Sequence, residues 1–93
     1  MTDQRQINEI AGLLKEAGNA HHQAFVETDG ADAEWPIWYA EYLHARLAEA
    51  LNASFTKSEL VYLIVLLDAE QRLHAPSAEW SRYYAKSLAT RYL

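Results

Sequence analysis

Ala33-Glu34-Trp35-Pro36-Ile37-Trp38-Tyr39-Ala40-Glu41-Tyr42-Leu43 is echoed 45 residues later by Ala78-Glu79-Trp80-Ser81-Arg82-Tyr83-Tyr84-Ala85-Lys86-Ser87-Leu88. Both stretches follow the pattern A-E-W-x-x-[W/Y]-Y-A-x-x-L, and Arg46 and Arg91 stand at matching positions just beyond them. Self-similarity at a fixed offset marks a repeated supersecondary unit. The echo predicts an all-α, four-helix up-down bundle built from two pseudo-repeated helical hairpins, residues about 3–53 and 54–93, in a single domain spanning 1–93.

Working outward from the echo, helical spacing places Trp35, Trp38, Tyr39, Tyr42, Leu43, Leu47 and Ala50 on the inner face of a second helix. Asp32 is its expected N-cap, Pro36 suits its first turn, and Asn52 lies near its end. Upstream, a first helix is expected from Gln4 to Glu27, with Ile7, Ile10, Leu14, Ala17 and Phe25 inward. Asp3 and Gln6 resemble a capping box. Gly12 and Gly18 interrupt that helix and mark a kink or a close neighbour.

Downstream, Thr56-Lys57-Ser58-Glu59 is a T-x-x-E capping box before an apolar run, with Phe55 in the staple position. The third helix should run to His74 and stop before Pro76. Ser77 is the expected cap of a fourth helix that turns Trp80, Tyr84, Leu88 and Tyr92 inward.

The third helix is apolar nearly all round, from Leu60 through Leu67. Such a helix must be covered on most sides, and no helix of a four-helix domain is surrounded. A homodimer covering Val61, Tyr62, Val65 and Leu66 is the expected solution, since large exposed apolar patches are rare on monomers. The plainer alternative wraps aromatic side chains of helices two and four around it.

Composition bounds the chemistry. The chain has 93 residues, about half of them apolar, and carries three Trp, six Tyr and two Phe, which argues for a folded domain. It has no cysteine, so thiolate metal sites and cysteine nucleophiles are excluded. Net charge is −5 and the eight basic residues form no stripe, which argues against nucleic acid. The longest apolar run falls far short of the roughly 20 residues of a membrane span, and the polar N-terminus does not read as a signal peptide. No membrane association and a cytoplasmic location are the expectations.

Candidate functional residues gather at one end of the expected bundle. There His21, His22 and His74 meet Trp35, Trp38 and Trp80, beside Asp29 and Asp32. This is either a small-ligand pocket with aromatic walls, a His–carboxylate metal site made from His21, His22, Asp29, Asp32 and His74, or a bundle end of hydrogen-bonded histidines and packed tryptophans. Arg46 and Arg91 fall near the middle of the aromatic faces. They either snorkel over Trp and Tyr rings or bind a ligand anion, with Glu16, Asp68 and Glu70 as possible partners. Glu41-x-x-His44 has di-iron spacing, but its repeat partners are Lys86 and Ala89, and both residues should face water. No phosphate loop, G-x-S-x-G or H-E-x-x-H occurs.

The string His21-His22-x-Ala24-Phe25, with Asp29-Gly30-x-Asp32-x-Glu34-Trp35-Pro36-x-Trp38-Tyr39-Ala40, resembles the signature of a group of small uncharacterised bacterial helical proteins. The resemblance spans residues 21 to 43. It implies a small helical bacterial protein and brings no activity with it. The residues themselves favour a non-enzymatic, dimeric protein-interaction module without a cofactor and with room for a protein partner. The second reading is a small-molecule or metal-binding protein that uses the His/Trp end.

Overall fold

A computed structural model describes residues 4–92. Its described residues form four α-helices and one 3-10 turn, and no strand. Helix α1 spans Gln4–Ala24, α2 Trp35–Leu51, α3 Lys57–His74 and α4 Trp80–Tyr92. The proposed capping role of Asp3 falls outside the described residues.

Helix α1 packs against both α2 and α4, and α2 packs against α3. Helices α3 and α4 share the thinnest of these interfaces. The core is one layer of aliphatic side chains at helical spacing: Ile10 and Leu14 of α1, Leu43 and Leu47 of α2, Leu60 and Ile64 of α3, and Leu88 of α4. Alanines let the helices approach, with Ala17, Ala40, Ala85 and Ala89 all fully buried.

Helix α1 is continuous through both glycines. Gly18 is there for a neighbour. A β-carbon at that position would stand 3.2 Å from Cζ2 of Trp80, so the indole lies against bare backbone. The helix ends three residues sooner than the periodicity suggests, because Val26–Thr28 tightens into a 3-10 turn closed by Asp29 in the left-handed region. The Thr28 hydroxyl donates to the carbonyls of Phe25 and Ala31, which holds this turn.

The capping box of α3 forms in full. The Thr56 hydroxyl accepts the Glu59 N–H at 3.0 Å, and the Glu59 carboxylate accepts the Thr56 N–H at 3.1 Å. Phe55 is buried and stacks on Tyr92 of α4, with ring centroids 5.2 Å apart.

Two expected caps are replaced. Asp32 lies two residues before the Glu34 cap position of α2, and its carboxylate accepts the Glu34 N–H at 3.0 Å. Glu79, not Ser77, closes the start of α4. Its carboxylate accepts the Arg82 N–H at 2.9 Å and the Ser81 hydroxyl at 2.5 Å. Burial opposes the charge on Glu79, but these hydrogen bonds outweigh it and hold the carboxyl below its ordinary pKa.

Helix α3 is not covered on most sides within one chain. Leu60, Leu63, Ile64 and Leu67 are buried, while Val61 and Leu66 are half-buried. Tyr62, Val65 and Leu73 are 63%, 47% and 76% exposed, and form an apolar stripe with exposed Ala69. Of the aromatic residues of α4, Tyr84 meets α3 at Asp68 and Tyr92 lines a groove with Tyr62 and Leu63, and the stripe stays exposed beside them.

Candidate functional site

The His/Trp end of the molecule contains a cavity of about 450 Å³, at the place where all four helices contribute side chains. Leu14, Leu43 and Ile64 make its apolar lining, and Trp35, Tyr39, Trp80 and Tyr84 make its aromatic one. His21, Asp32, Asp68, Gln71 and Arg72 bring polar groups to it. Its lining includes residues of both α3 and α4, the pair of neighbours that pack least closely. Volume and lining lie within the usual range for small-molecule sites, roughly 300–1,000 Å³ of mostly apolar surface with a few polar groups.

The aromatic residues are set by the helical period. Trp35 and Tyr39, four apart on α2, meet edge-to-face at 6.0 Å and 83°. Trp80 and Tyr84, four apart on α4, meet the same way at 5.5 Å and 84°. Tyr39 then touches Trp80 at 6.4 Å and 78°, which links the two pairs across the molecule. Burial raises the pKa of both phenols, and at Tyr84 the neighbouring Asp68 carboxylate pushes further in the same direction.

His21 is only 6% exposed. Its Nε2 donates to the Asp32 carboxylate at 3.0 Å. Its ring stacks on Tyr39 at 5.1 Å, and lies 4.8 Å from Phe25 and 5.0 Å edge-on to Trp38. Asp32 therefore spends one oxygen on His21 and the other on the start of α2. On the opposite side, Asp68 accepts the Tyr84 hydroxyl at 3.4 Å and pairs with Nε of Arg72 at 3.2 Å. Gln71 is tied to the Ala78 carbonyl at 2.8 Å. Among the described residues, no buried side-chain polar atom lacks a partner. Spare binding capacity at the cavity thus lies with half-buried groups such as Asp68.

The structure brings together His21, Asp32, Trp35 and Trp80, and leaves the other sequence candidates outside the cavity. Trp38 reaches the site through its contacts with His21 and Tyr39, and its own indole stacks on Tyr42 at 5.4 Å in an adjoining groove. His22 is exposed beside Gly30, and His74 is exposed at the end of α3. Asp29 is exposed in the loop. Among the described residues, no group of three or more His, Asp or Glu side chains could hold a metal ion.

Arg46 and Arg91 are corrected outward, since both are exposed. Arg46 keeps the aromatic contact expected of it. Its guanidinium carbon sits 4.1 Å above the Tyr42 ring, and Nη1 donates to the Tyr42 carbonyl. Among the described residues neither repeated arginine has an ion pair. Glu16 accepts instead from the Tyr42 hydroxyl at 3.3 Å, and Asp68 pairs with Arg72. His44 is also corrected. It is half-buried and donates to the Phe55 carbonyl at 2.6 Å, while Glu41 faces water and pairs with Lys57 at 2.9 Å.

Sequence reasoning missed Asp68, Gln71 and Arg72 as a cavity edge. The available signal was their position, one turn before the end of α3 and thus level with the start of α4. Comparison with family models, with curated proteins and with solved structures finds no match to this chain. Among the described residues, no helix is long and apolar enough to cross a membrane.

Proposed function

We propose that this protein is a small-molecule-binding domain whose site is the cavity lined by all four helices. One observation carries this reading: two Trp–Tyr pairs from separate helices converge on one cavity of ligand size, with a partly exposed carboxylate at its edge. The architecture that goes with it is an up-down bundle of two repeated hairpins. In its support, the ends of α1 and α3 and the starts of α2 and α4 share the cavity. Burial also matches along the repeat, with Ala40 and Ala85 buried, Leu43 and Leu88 buried, and Arg46 and Arg91 exposed. The bacterial family proposed from residues 21–43 gains a physical reason for two of its positions, His21 and Asp32, which bond to each other.

The exposed stripe of Tyr62, Val65, Ala69 and Leu73 favours a second role as a homodimer interface. Native mass spectrometry on protein purified without chelator tests both roles in one spectrum. A retained small mass is expected from the cavity, and a dimer from α3. Bare protein, unchanged after incubation with a cell metabolite extract, overturns ligand binding. Assembly that survives both Val65→Glu and Leu66→Glu overturns the interface.

A further inference from the structure

We infer that the cavity takes a small, rounded organic cation of the alkylammonium type; this rests on the ligand-binding reading above. The first argument is shape. Trp35, Tyr39, Trp80 and Tyr84 meet successively at 83°, 78° and 84°. Rings that alternate by nearly a right angle cannot all stack on one flat ligand. They can surround a compact group from several directions, which is how aromatic cages hold quaternary ammonium ions through the negative faces of their rings.

The second argument is charge. Two carboxylates, Asp32 and Asp68, line the cavity against one guanidinium, Arg72. Asp32 is committed to His21 and to the Glu34 N–H. Asp68 also has a partner on each oxygen, Tyr84 on Oδ1 and Arg72 on Oδ2, but the bond from Tyr84 is long at 3.4 Å, and a carboxylate can accept about four hydrogen bonds. Its side chain is 26% exposed, while that of Arg72 is 76% exposed. The guanidinium therefore holds Asp68 from the water side, and a cation inside the cavity can approach the same carboxylate from the aromatic side. An anion would have to take Arg72 away from Asp68 and then sit beside a bare carboxylate. The lining disfavours that exchange.

Choline, its neutral carbon isostere 3,3-dimethylbutan-1-ol, and pivalate share the trimethyl-substituted centre and differ in charge. Each is titrated into the whole chain while the indole N–H signals of Trp35 and Trp80 are followed by NMR. Choline is expected to shift both signals saturably and to bind at least about tenfold more tightly than the alcohol, with pivalate weaker still. Asp68→Asn should remove most of that preference and leave the alcohol unchanged. Its melting curve checks the fold, and if it fails to fold the wild-type comparison decides alone. Trp35→Leu should weaken choline and alcohol together. Equal or tighter binding of the alcohol or of pivalate overturns the cation assignment and leaves ligand binding standing. No response of either indole to choline overturns the cation assignment, and native mass spectrometry then decides the broader reading by itself.

Discussion

Trp35 and Trp80 open the same motif and line the same cavity, yet different neighbours set them in place. Trp80 lies against the bare backbone of Gly18, and its helix is closed by the Glu79 carboxylate directly before it. Trp35 has no side-chain cap at Glu34. Pro36 removes one of the N–H groups that a cap would have to satisfy, and Asp32 takes another while also holding His21. Both stretches bring a Trp and a Tyr four residues apart to the cavity, and differ in what supports them. The first half anchors its tryptophan through a buried polar pair, and the second through close backbone packing and a cap.

The largest test of this equivalence lies in the core. Leu43→Ala and Leu88→Ala remove buried side chains at matching positions, and each should cost about 2–5 kcal/mol in urea unfolding. Values that differ by more than the span of that range would show that the two halves do not share one core. Next comes the asymmetric anchor. Asp32→Ala leaves buried His21 without its acceptor and should cost about 1–3 kcal/mol. Ser77→Ala, at the repeat-equivalent position, should stay within about 0.5 kcal/mol of wild type; matching losses would place a comparable anchor in the second half.

The caps give a smaller contrast. Glu79→Ala should cost about 1 kcal/mol as a lost helix cap, whereas Glu34→Ala should be near neutral. Because the Glu79 carboxyl is held below its ordinary pKa in the folded chain, its contribution is present above the unfolded value and fades as the pH falls through the folded one. An acid titration of stability that is the same for wild type and Glu79→Ala would refute this.

The smallest effect is silent at neutral pH. Tyr39 and Tyr84 have raised pKa values, so their neutral forms stabilise the fold below about pH 10, and that contribution is lost as the pH climbs further. Phenolate absorbance should show two tyrosines that ionise late, and Tyr84→Phe should remove the later one. Ordinary titration of Tyr39 and Tyr84 would contradict this reading.

Much of this fold was legible where local chemistry decides. The Thr56–Glu59 box and the inward Leu43 and Leu47 follow from spacing and short-range bonding, while at Gly18, where spacing left a kink or a close neighbour open, the structure has the neighbour. Legibility failed where two local solutions compete or where a helix ends. Ser77 and Glu79 can both cap, and only packing chooses between them. A period of about 100° per residue places Arg46 among aromatic residues, but it does not register that a long side chain reaches out past Tyr42. The same period cannot place His22 or His74, because each lies at the last turn of its helix. Of the site, Trp35, Trp80 and His21 were readable from helical spacing and from which helix ends meet, whereas Trp38 falls outside the cavity. Asp68 and Arg72 were not readable, since their relevance depends on how far α3 stands from α4.

That spacing has a thermodynamic consequence. The seam between α3 and α4 is the edge where the chain is least held together, so local opening should begin there and amide exchange should be fastest there. A molecule seated in the cavity touches both sides of this seam and binds only when they are in place. Its binding free energy is thereby added to folding, about 2.7 kcal/mol at a concentration one hundred times its dissociation constant. For so small a domain, occupancy of the site and resistance to heat become readings of a single equilibrium.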